Sequence, residues 1–520
     1  MSDSLTRMDK SIGLRPQRPV QTPLGELVPL VEGRAVVGVD VVPTTLVSGL
    51  ALDSRLVCPG DLYAAVPGAQ AHGAEFTAAA LAAGAVAVLT DDAGAALIGD
   101  PGVPVVVPVL VTDRLRARIG GLAARIFGDP AEALTLIAVT GTQGKTTTTR
   151  LLENGLTAAG QRAAVIGTVG TRIAGVDVRT SLTTPESPAL HGLFASMREV
   201  GVTVCGMEVS SHALVMGRVD GVVFDVAAFT NLGRDHLDFH RDMEDYFAAK
   251  ASLFTPERAR RGLANIDDPW GRRLVEIATI PMRTFALDGD ADWTAGEIQE
   301  LPAGSRFRVH GPGGVDVPAR VPIAGRFNVS NALCAIAAAA EAGLDPAAVA
   351  DGIAHGDGVP GRLERIEEGQ PFLAVVDYAH KPDALEAALD ALRPVTAGRL
   401  ILVLGAGGDR DQGKRPLMGR IGSARADVLV VTDDNPRTED PAAIRAAIRE
   451  GASGPAEVQE IGDRRAAIRA AVELARPGDT VIVAGKGHET GQEIAGEVHH
   501  FDDRDEVRAA IRNIVTEVAE

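Results

Sequence analysis

Apolar residues along this chain recur in two patterns that alternate with one another. Short continuous runs of aliphatic and β-branched residues, closed by glycine, proline or aspartate, read as buried strands. Longer stretches with apolar positions three and four apart read as amphipathic helices. The alternation is most regular from about residue 359 onward, where LAVVDY, RLILVLG, ADVLVVT and DTVIVAG are strand-like. PDALEAALDALR, PLMGRIGSAR, AAIRAAIREG and RRAAIRAAVELA between them are helix-like. Such an order predicts a parallel, doubly wound sheet with a ligand crevice at the carboxyl ends of its strands.

Upstream, LTLIAVT has the pattern of a buried strand, and further strands are predicted at 163–166, 202–209 and 224–229. Nearer the start, strands are predicted at 36–42, 49–53 and 85–89, while 52–73 sets turn residues between apolar runs and reads as a loop-rich ligand face. The chain is therefore read as α/β, with a disordered tail at 1–20 and three domains at 21–133, 134–358 and 359–520. A length of 520 residues accommodates about three domains. The longest apolar stretches, 78–89 and 101–111, are too short to cross a bilayer, and the first residues lack an apolar signal core. No membrane insertion is expected.

Charge and composition narrow the classes further. The formal net charge of −18, with only 13 Phe, 3 Tyr and 2 Trp, argues against an extended nucleic-acid surface, which wants basic grooves and stacking rings. Three cysteines, Cys58, Cys205 and Cys334, lie far apart in no metal or disulfide spacing, as suits a reducing cytoplasm. Among the basic residues only six are lysine: Lys10, Lys145, Lys250, Lys381, Lys414 and Lys486. A coding bias toward arginine explains the scarcity. Each lysine that remains is a candidate position where a fixed guanidinium fork is chemically unacceptable; Lys10 lies in the tail, Lys145 and Lys250 have a chemical reason, and tolerance of arginine at Lys381, Lys414 and Lys486 is an open question.

The first such position lies in GTQGKTTTT, which follows LTLIAVT and opens a helical stretch. A strand, a glycine loop and a lysine followed by hydroxyl residues at a helix start aim backbone N–H groups at a phosphate chain. The loop is shorter than the usual G-x-x-x-x-G-K-[ST], because Val139 stands five positions before Gly144. Lys145 would reach the β- and γ-phosphates and Thr146 would bind Mg²⁺. MEVSSHAL offers Glu208 at a strand exit as an oxygen ligand for a hard cation, and FTNLGRDHLDFH offers His236. In YFAAKASLF, Lys250 sits among apolar residues on a predicted helix, where an unpaired ammonium is costly.

Together GTQGKTTTT, MEVSSHAL, FTNLGRDHLDFH, YFAAK, GRFNVSNAL, PGRLE, DYAHKPDAL and GGDRDQGKRP resemble the motif series of the Mur ligase family. The resemblance runs from about residue 45 to 505 and is strongest to members that add the third residue of the peptidoglycan stem peptide. It implies an N-terminal UDP-sugar-binding domain, a central ATP-binding domain with a P-loop ATPase-like parallel sheet, and a C-terminal Rossmann-like domain for the incoming amino acid. Gly141, Thr142, Gln143, Gly144, Lys145, Thr146 and Thr147, with Asn328 and Arg362, are then implied in ATP binding. Thr146, Glu208, His236 and a CO₂-carbamylated Lys250 are implied around Mg²⁺, and Lys145, Lys250, Asp377 and His380 as the catalytic group. Leu52, Ser54, Thr183, Thr184, Ser210 and Arg218 match contacts to UDP-MurNAc-L-Ala-D-Glu; Met216 stands where some relatives carry a polar ligand.

The implied reaction activates a carboxylate as an acyl phosphate at the expense of ATP and then joins it to an amine, in a cytoplasmic step of cell-wall synthesis. Asp434, Asn435, Pro436 and Arg437 resemble the tetrad of meso-diaminopimelate-adding members, with Arg410, Gly485 and Glu489 as further contacts. Arg437 could grip the second carboxylate that diaminopimelate has and lysine lacks. DNPR and the LDSR segment argue against a lysine-adding ligase or a folylpolyglutamate synthetase. VLGAGGDRD fails the dinucleotide fingerprint, since Arg410 occupies the third glycine position. A non-catalytic ATP switch would turn over without any amino acid.

Overall fold

The computed structural model describes residues 13–37, 39–98, 107–301 and 303–519. Residues 1–12 of the expected tail, Gly38 of the expected strand 36–42, and 101–106 of the second apolar stretch lie outside the described residues. The chain forms two compact units. One takes in the described residues up to Thr294 with Gly311–Gly313 and Leu333–Gly352; the other comprises Ala295–His310, Gly314–Ala332 and the chain from Ile353 on.

Besides a short antiparallel pair, Thr22–Pro23 with Leu46–Val47, the first unit holds strands of two larger sheets. Strands β1 (Arg34–Val37), β2 (Gly49–Ala51), β3 (Asp61–Ala64), β4 (Ala87–Thr90) and β5 (Val109–Val111) make a five-stranded sheet in the order β1-β5-β4-β3-β2, parallel except for β1. The strand expected over 36–42 ends at Val37, and Val39–Val41 forms a 3₁₀ turn whose last carbonyl accepts from Thr44 N and Thr45 N. Strand β3 runs through the segment read as loop-rich. Its leading aspartate disguised it: Asp61 is buried, accepting from Arg15 Nη1 at 2.6 Å and Cys58 N at 2.8 Å. Residues 13–20 of the expected tail are thus tied down, and Gln17 N and Arg18 N also donate to Glu199.

The second sheet of this unit contains β6 (Thr135–Thr140), β7 (Ala163–Gly167), β8 (Gly170–Ile173), β9 (Val176–Val178), β10 (Val204–Glu208), β11 (Val226–Phe229), β12 (Gly262–Asn265) and β13 (Met282–Ala286). Their order is β9-β8-β7-β10-β6-β11-β12-β13; β7 through β13 in that order are parallel, and β8 and β9 add an antiparallel edge. Buried on both faces, β6 reads as a continuous apolar run for the reason that central parallel strands do. Helix α1 (Lys145–Ala158) leaves the end of β6. Helix α2 (Ser187–Glu199) packs on β2, joining the two sheets within the unit.

Strands β14 (Trp293–Leu301), β15 (Gly304–Gly311) and β16 (Val315–Val321) are neighbours in that order. The second unit is built on β17 (Glu364–Arg365), β18 (Leu373–Asp377), β19 (Leu400–Leu404), β20 (Val428–Val431), β21 (Glu457–Glu460) and β22 (Thr480–Ala484), in the order β17-β18-β22-β19-β20-β21. All but β17 are parallel. The helices fall where the periodicity places them, at Pro382–Leu392, Lys414–Arg425, Pro441–Gly451 and Arg464–Leu474. Strand β21, EVQE, escaped the pattern because it is a charged, largely exposed edge, the usual protection against edge pairing.

One ion pair anchors this unit. Arg464 and Asp503, each the first residue of its helix, are both fully buried and meet in two 2.7 Å bonds. Arg464 also donates to the carbonyls of Ala484 and Asp433, at the ends of two strands. Removing one member leaves a buried charge alone. Asp503→Ala should therefore cost about 3–5 kcal/mol of unfolding free energy, read by denaturant titration. A cost below about 1 kcal/mol, the scale of an exposed pair, would contradict the anchoring role.

Candidate active site

The phosphate loop lies between β6 and α1. Gly141 (φ +146°) and Gly144 (φ +87°) take backbone conformations that side chains resist, and a Cβ on Gly141 would lie 2.0 Å from Thr230 Oγ1. The loop is clamped from the segment after β11. Gln143 N donates to Asn231 Oδ1 at 2.9 Å, Thr230 Oγ1 donates to Gln143 O at 2.6 Å, and Thr142 N donates to Asn231 O at 2.9 Å. FTNLG thus shapes the phosphate loop through its threonine and asparagine, a role that the Asp and His richness of the motif had obscured.

Lys145 Nζ donates to the carbonyls of Gly141 (2.8 Å) and Thr142 (3.0 Å). Lys250, on helix α3 (Met243–Ala251), is 1% exposed and donates to the same Gly141 carbonyl at 2.9 Å. Two amines on one carbonyl oxygen cannot both be comfortably charged. Burial first, and the Lys145 ammonium second, hold Lys250 well below the ordinary lysine range. Its Nζ also lies 4.6 Å from the centre of the Tyr246 ring, and Tyr246 Oη is 3.2 Å from Thr142 Oγ1.

Glu208 ends β10, in register with Val139, and is 1% exposed. Thr168 donates to its carboxylate twice, from N at 2.8 Å and from Oγ1 at 3.0 Å. With its proton committed there, Thr168 Oγ1 must accept from Thr183 Oγ1 at 3.1 Å. The carboxylate is thereby linked to Thr183, and Thr184 Oγ1 donates to Glu208 O at 2.8 Å. Arg218 donates to Glu186 and to Thr184 O, and Ser210 caps the helix Ser211–Val215. Thr183, Thr184, Ser210 and Arg218 are therefore one neighbourhood, with Met216 Sδ 3.3 Å from Arg218 Nη2. Leu52 and Ser54, half-buried, follow β2, which lies against α2.

His236, in the left-handed region at φ +53°, has its ring 4.8 Å from that of His212 and 3.4 Å from an Asp235 oxygen. Among the described residues no three His, Cys, Asp or Glu side chains converge as a metal-binding group. The oxygen donors on hand are the Thr146 hydroxyl in the first turn of α1 and the oriented Glu208 carboxylate. They suit a hard cation, and an amine at Lys250 does not.

In the second unit, Asp377 at the end of β18 is buried, and its two oxygens accept from Leu363 N (2.7 Å) and Ala379 N (2.8 Å). It organises the loop that carries Arg362, whose guanidinium stacks 4.5 Å from the centre of the Tyr378 ring. His380 Nδ1 donates to Tyr378 O at 2.7 Å, and burial pushes its pKa down to about 4, so the ring is neutral near pH 7. Asn328, near the start of the helix Arg326–Glu341, is 2% exposed and donates to Ala324 O while accepting from Asn331.

The DNPR segment follows β20. Arg437 (φ +55°) donates to Gly408 O at 2.7 Å and pairs with Glu493 at 3.3 Å. A Cβ on Gly407 would lie 2.9 Å from Arg437 Nη1 and 4.0 Å from Arg410 Cγ, so both arginines flank one glycine. Asn435 Nδ2 donates to Glu489 Oε2 at 3.0 Å. Gly485 (φ +120°) leaves room for Asp434, whose Oδ2 would be 2.4 Å from any Cβ there, and Gly408 N donates to Asn435 O. Arg410, Asp434, Asn435, Pro436, Arg437, Gly485 and Glu489 are thus gathered at the carboxyl ends of β19, β20 and β22. The helix after β19 begins only at Lys414, which removes the tight strand-to-helix turn a dinucleotide fold requires.

Comparison with known proteins places these sites in context. Three family models match in order along the chain: the Mur ligase family catalytic domain over residues 46–125, the Mur ligase middle domain over 139–339 and the Mur ligase glutamate ligase domain over 361–487. A UDP-N-acetylmuramoyl-L-alanyl-D-glutamate--2,6-diaminopimelate ligase of Streptomyces coelicolor is 54% identical over 96% of this chain and 98% of its own length. One of Corynebacterium glutamicum is 52% identical over 89% of this chain and 92% of its own. A solved structure of a ligase of the same name superposes with a TM-score of 0.69 at 35% identity, covering 95% of this chain and all of that one. MurF from Acinetobacter baumannii shares the fold at 21% identity and a TM-score of 0.64, over 90% of this chain and 96% of its own. With the family's three domains matched in sequence order and relatives identical at half or more of the aligned positions over most of the chain, this protein belongs to the Mur ligase family.

Proposed function

We propose that this chain is the ATP-dependent ligase that joins meso-diaminopimelate to UDP-N-acetylmuramoyl-L-alanyl-D-glutamate, releasing ADP and phosphate. The relatives' names supply the substrates. Within the molecule, the observation that carries the reading is the meeting of Lys145 and the buried Lys250 on the Gly141 carbonyl of a phosphate loop.

The glutamate carboxylate attacks the γ-phosphorus of ATP and ADP leaves, giving an acyl phosphate; the amine then attacks the acyl carbon and phosphate leaves. Two anions must approach in the first step, so the protein's contribution is mainly electrostatic. Lys145 holds the β- and γ-phosphates, and the N–H groups at the start of α1 cradle them, while those of Thr142 and Gln143 are held by Asn231 and fix the shape of the loop. Asn328 and Arg362 contact the nucleotide, while Asp377 and His380 hold the Arg362 and Tyr378 loops in place. Thr146, Glu208, a carbamylated Lys250 and His236 would hold Mg²⁺, which would supply charge neutralisation to the phosphates. Carbamylation needs a neutral amine, the form that burial favours at Lys250, and converts it to an anionic oxygen donor.

Thr183, Thr184, Ser210 and Arg218, with Leu52 and Ser54, contact the UDP-sugar dipeptide. Linkage of Thr183 to Glu208 through Thr168 ties substrate binding to the site of phosphoryl transfer. The distal end of diaminopimelate is read by Arg437, Arg410 and Glu489. In an assay with UDP-MurNAc-L-Ala-D-Glu and ATP, phosphate release should require an amino acid and prefer meso-diaminopimelate to L-lysine. Release independent of the amino acid would overturn the ligase reading.

A further inference from the structure

Lys486 has no assigned part in the site, yet it is one of the few lysines of the chain and is fully buried. An ammonium carries three N–H donors, and burying one without acceptors is costly. Here it has three: Asn435 Oδ1 at 3.1 Å, the Gly491 carbonyl, and Glu489 Oε2 at 3.5 Å. The donors are matched by protein acceptors, so Lys486 has none to offer a substrate. Its acceptors lie in two segments, Asn435 in the DNPR corner itself and Glu489 and Gly491 in the stretch that packs along it.

The consequence falls on Asn435. Its Oδ1 accepts from both Lys486 Nζ and Glu493 N, the latter at 3.0 Å. An amide flipped by half a turn would present its NH₂ to those two donors, so the observed orientation is locked and Nδ2 must point to Glu489 Oε2. Glu489, whose side chain is 36% exposed, is thus held on one oxygen by two donors, Asn435 Nδ2 and Lys486 Nζ. Gln492 Nε2 donates to Asp434 O at 2.8 Å and Arg437 N to Glu493 O at 3.0 Å, so the segment after Gly491 is stitched along DNPR. Arginine could not stand in for Lys486, since a planar fork cannot address three acceptors grouped around one nitrogen.

We propose that Lys486 is a positioning residue for the incoming amino acid: it fixes the Asn435 amide and the Glu489 carboxylate in the arrangement that receives the substrate's distal ammonium, without touching the substrate. The inference rests on the proposed function, which makes Glu489 a contact to diaminopimelate.

Lys486→Met keeps the length and apolar stem and removes the ammonium. It should raise KM for meso-diaminopimelate about 10–100-fold, the range for partners that orient a ligand group, while KM for ATP and for UDP-MurNAc-L-Ala-D-Glu stays within about twofold of wild type. Should the methionine variant fail to melt cooperatively, Lys486→Gln is measured in the same way. An unchanged KM for diaminopimelate, equal rises in all three KM values, or failure of both variants to fold would overturn the inference; the last two would make Lys486 a residue of general structure. Wild-type enzyme without diaminopimelate-dependent phosphate release would instead refute the functional reading on which it rests, so the two failures are distinguishable.

Discussion

Lys250→Arg should lower kcat by on the order of 10²–10³-fold, the effect of removing one preorganised group that offsets transition-state charge. The side chain is 1% exposed, and it shares the Gly141 carbonyl with Lys145. Burial and Lys145 together push its pKa down and so favour the neutral amine, the form that attacks CO₂. On the proposed function, a carbamate there would replace a potential cation with an anion beside Lys145, turning repulsion into attraction and adding an oxygen donor at the phosphate loop. Arginine reverses each step: it stays protonated, cannot be carbamylated, and sets a second permanent cation against the phosphate loop. Lys250→Ala should be about as slow, and short carboxylic acids added to it should restore part of the rate by placing a carboxylate in the vacated space. Carbon-13 bicarbonate gives a readout independent of turnover, a carbamate resonance in wild type that is lost in both variants. Retention of activity within tenfold by Lys250→Arg would falsify the carbamate role.

Much of this arrangement was legible before any coordinates. The strands and helices after residue 359 follow from period alone, because buried parallel strands must be continuously apolar and the covering helices must be amphipathic. The phosphate loop was legible through its glycines and lysine, and Lys250 through its rarity among arginines. What escaped the sequence depends on contacts between distant segments. Strand β3 hides its first residue's burial behind a charge, since the ion pair with Arg15 and the Cys58 N–H together make Asp61 tolerable there. Thr168 gave no signal, because a threonine after a strand is ordinary until Glu208 is found against it. Thr230 and Asn231 sat in a motif read for its aspartates and histidines, although these two hold the loop. Asp377 and His380 carried a signal of importance but not of kind: one commits both oxygens to backbone N–H groups, and the other is held neutral by burial.

Arg437→Lys should raise KM for meso-diaminopimelate by about 10–100-fold, equivalent to losing one charged hydrogen bond of about 1.5–3 kcal/mol, and should narrow or abolish the preference over L-lysine. The substitution is chosen to isolate the fork. Lysine keeps the positive charge, and at φ +55° it meets the same backbone cost as any residue with a Cβ. In the wild type, the guanidinium directs one N–H to Gly408 O and one toward Glu493, which fixes its plane and leaves three of its five N–H groups for a ligand. A second carboxylate can then be met by two parallel bonds, a geometry that an ammonium cannot reproduce. When L-lysine binds instead, the remaining N–H groups of that guanidinium meet no substrate carboxylate, and the penalty of leaving them unmatched is the expected source of discrimination. The two KM values should therefore move unequally, rising for diaminopimelate and staying level or falling for lysine. If both rose together, Arg437 would be shaping the loop through Gly408 and Glu493, and the choice of amino acid would have to be sought at Arg410, which flanks the same glycine.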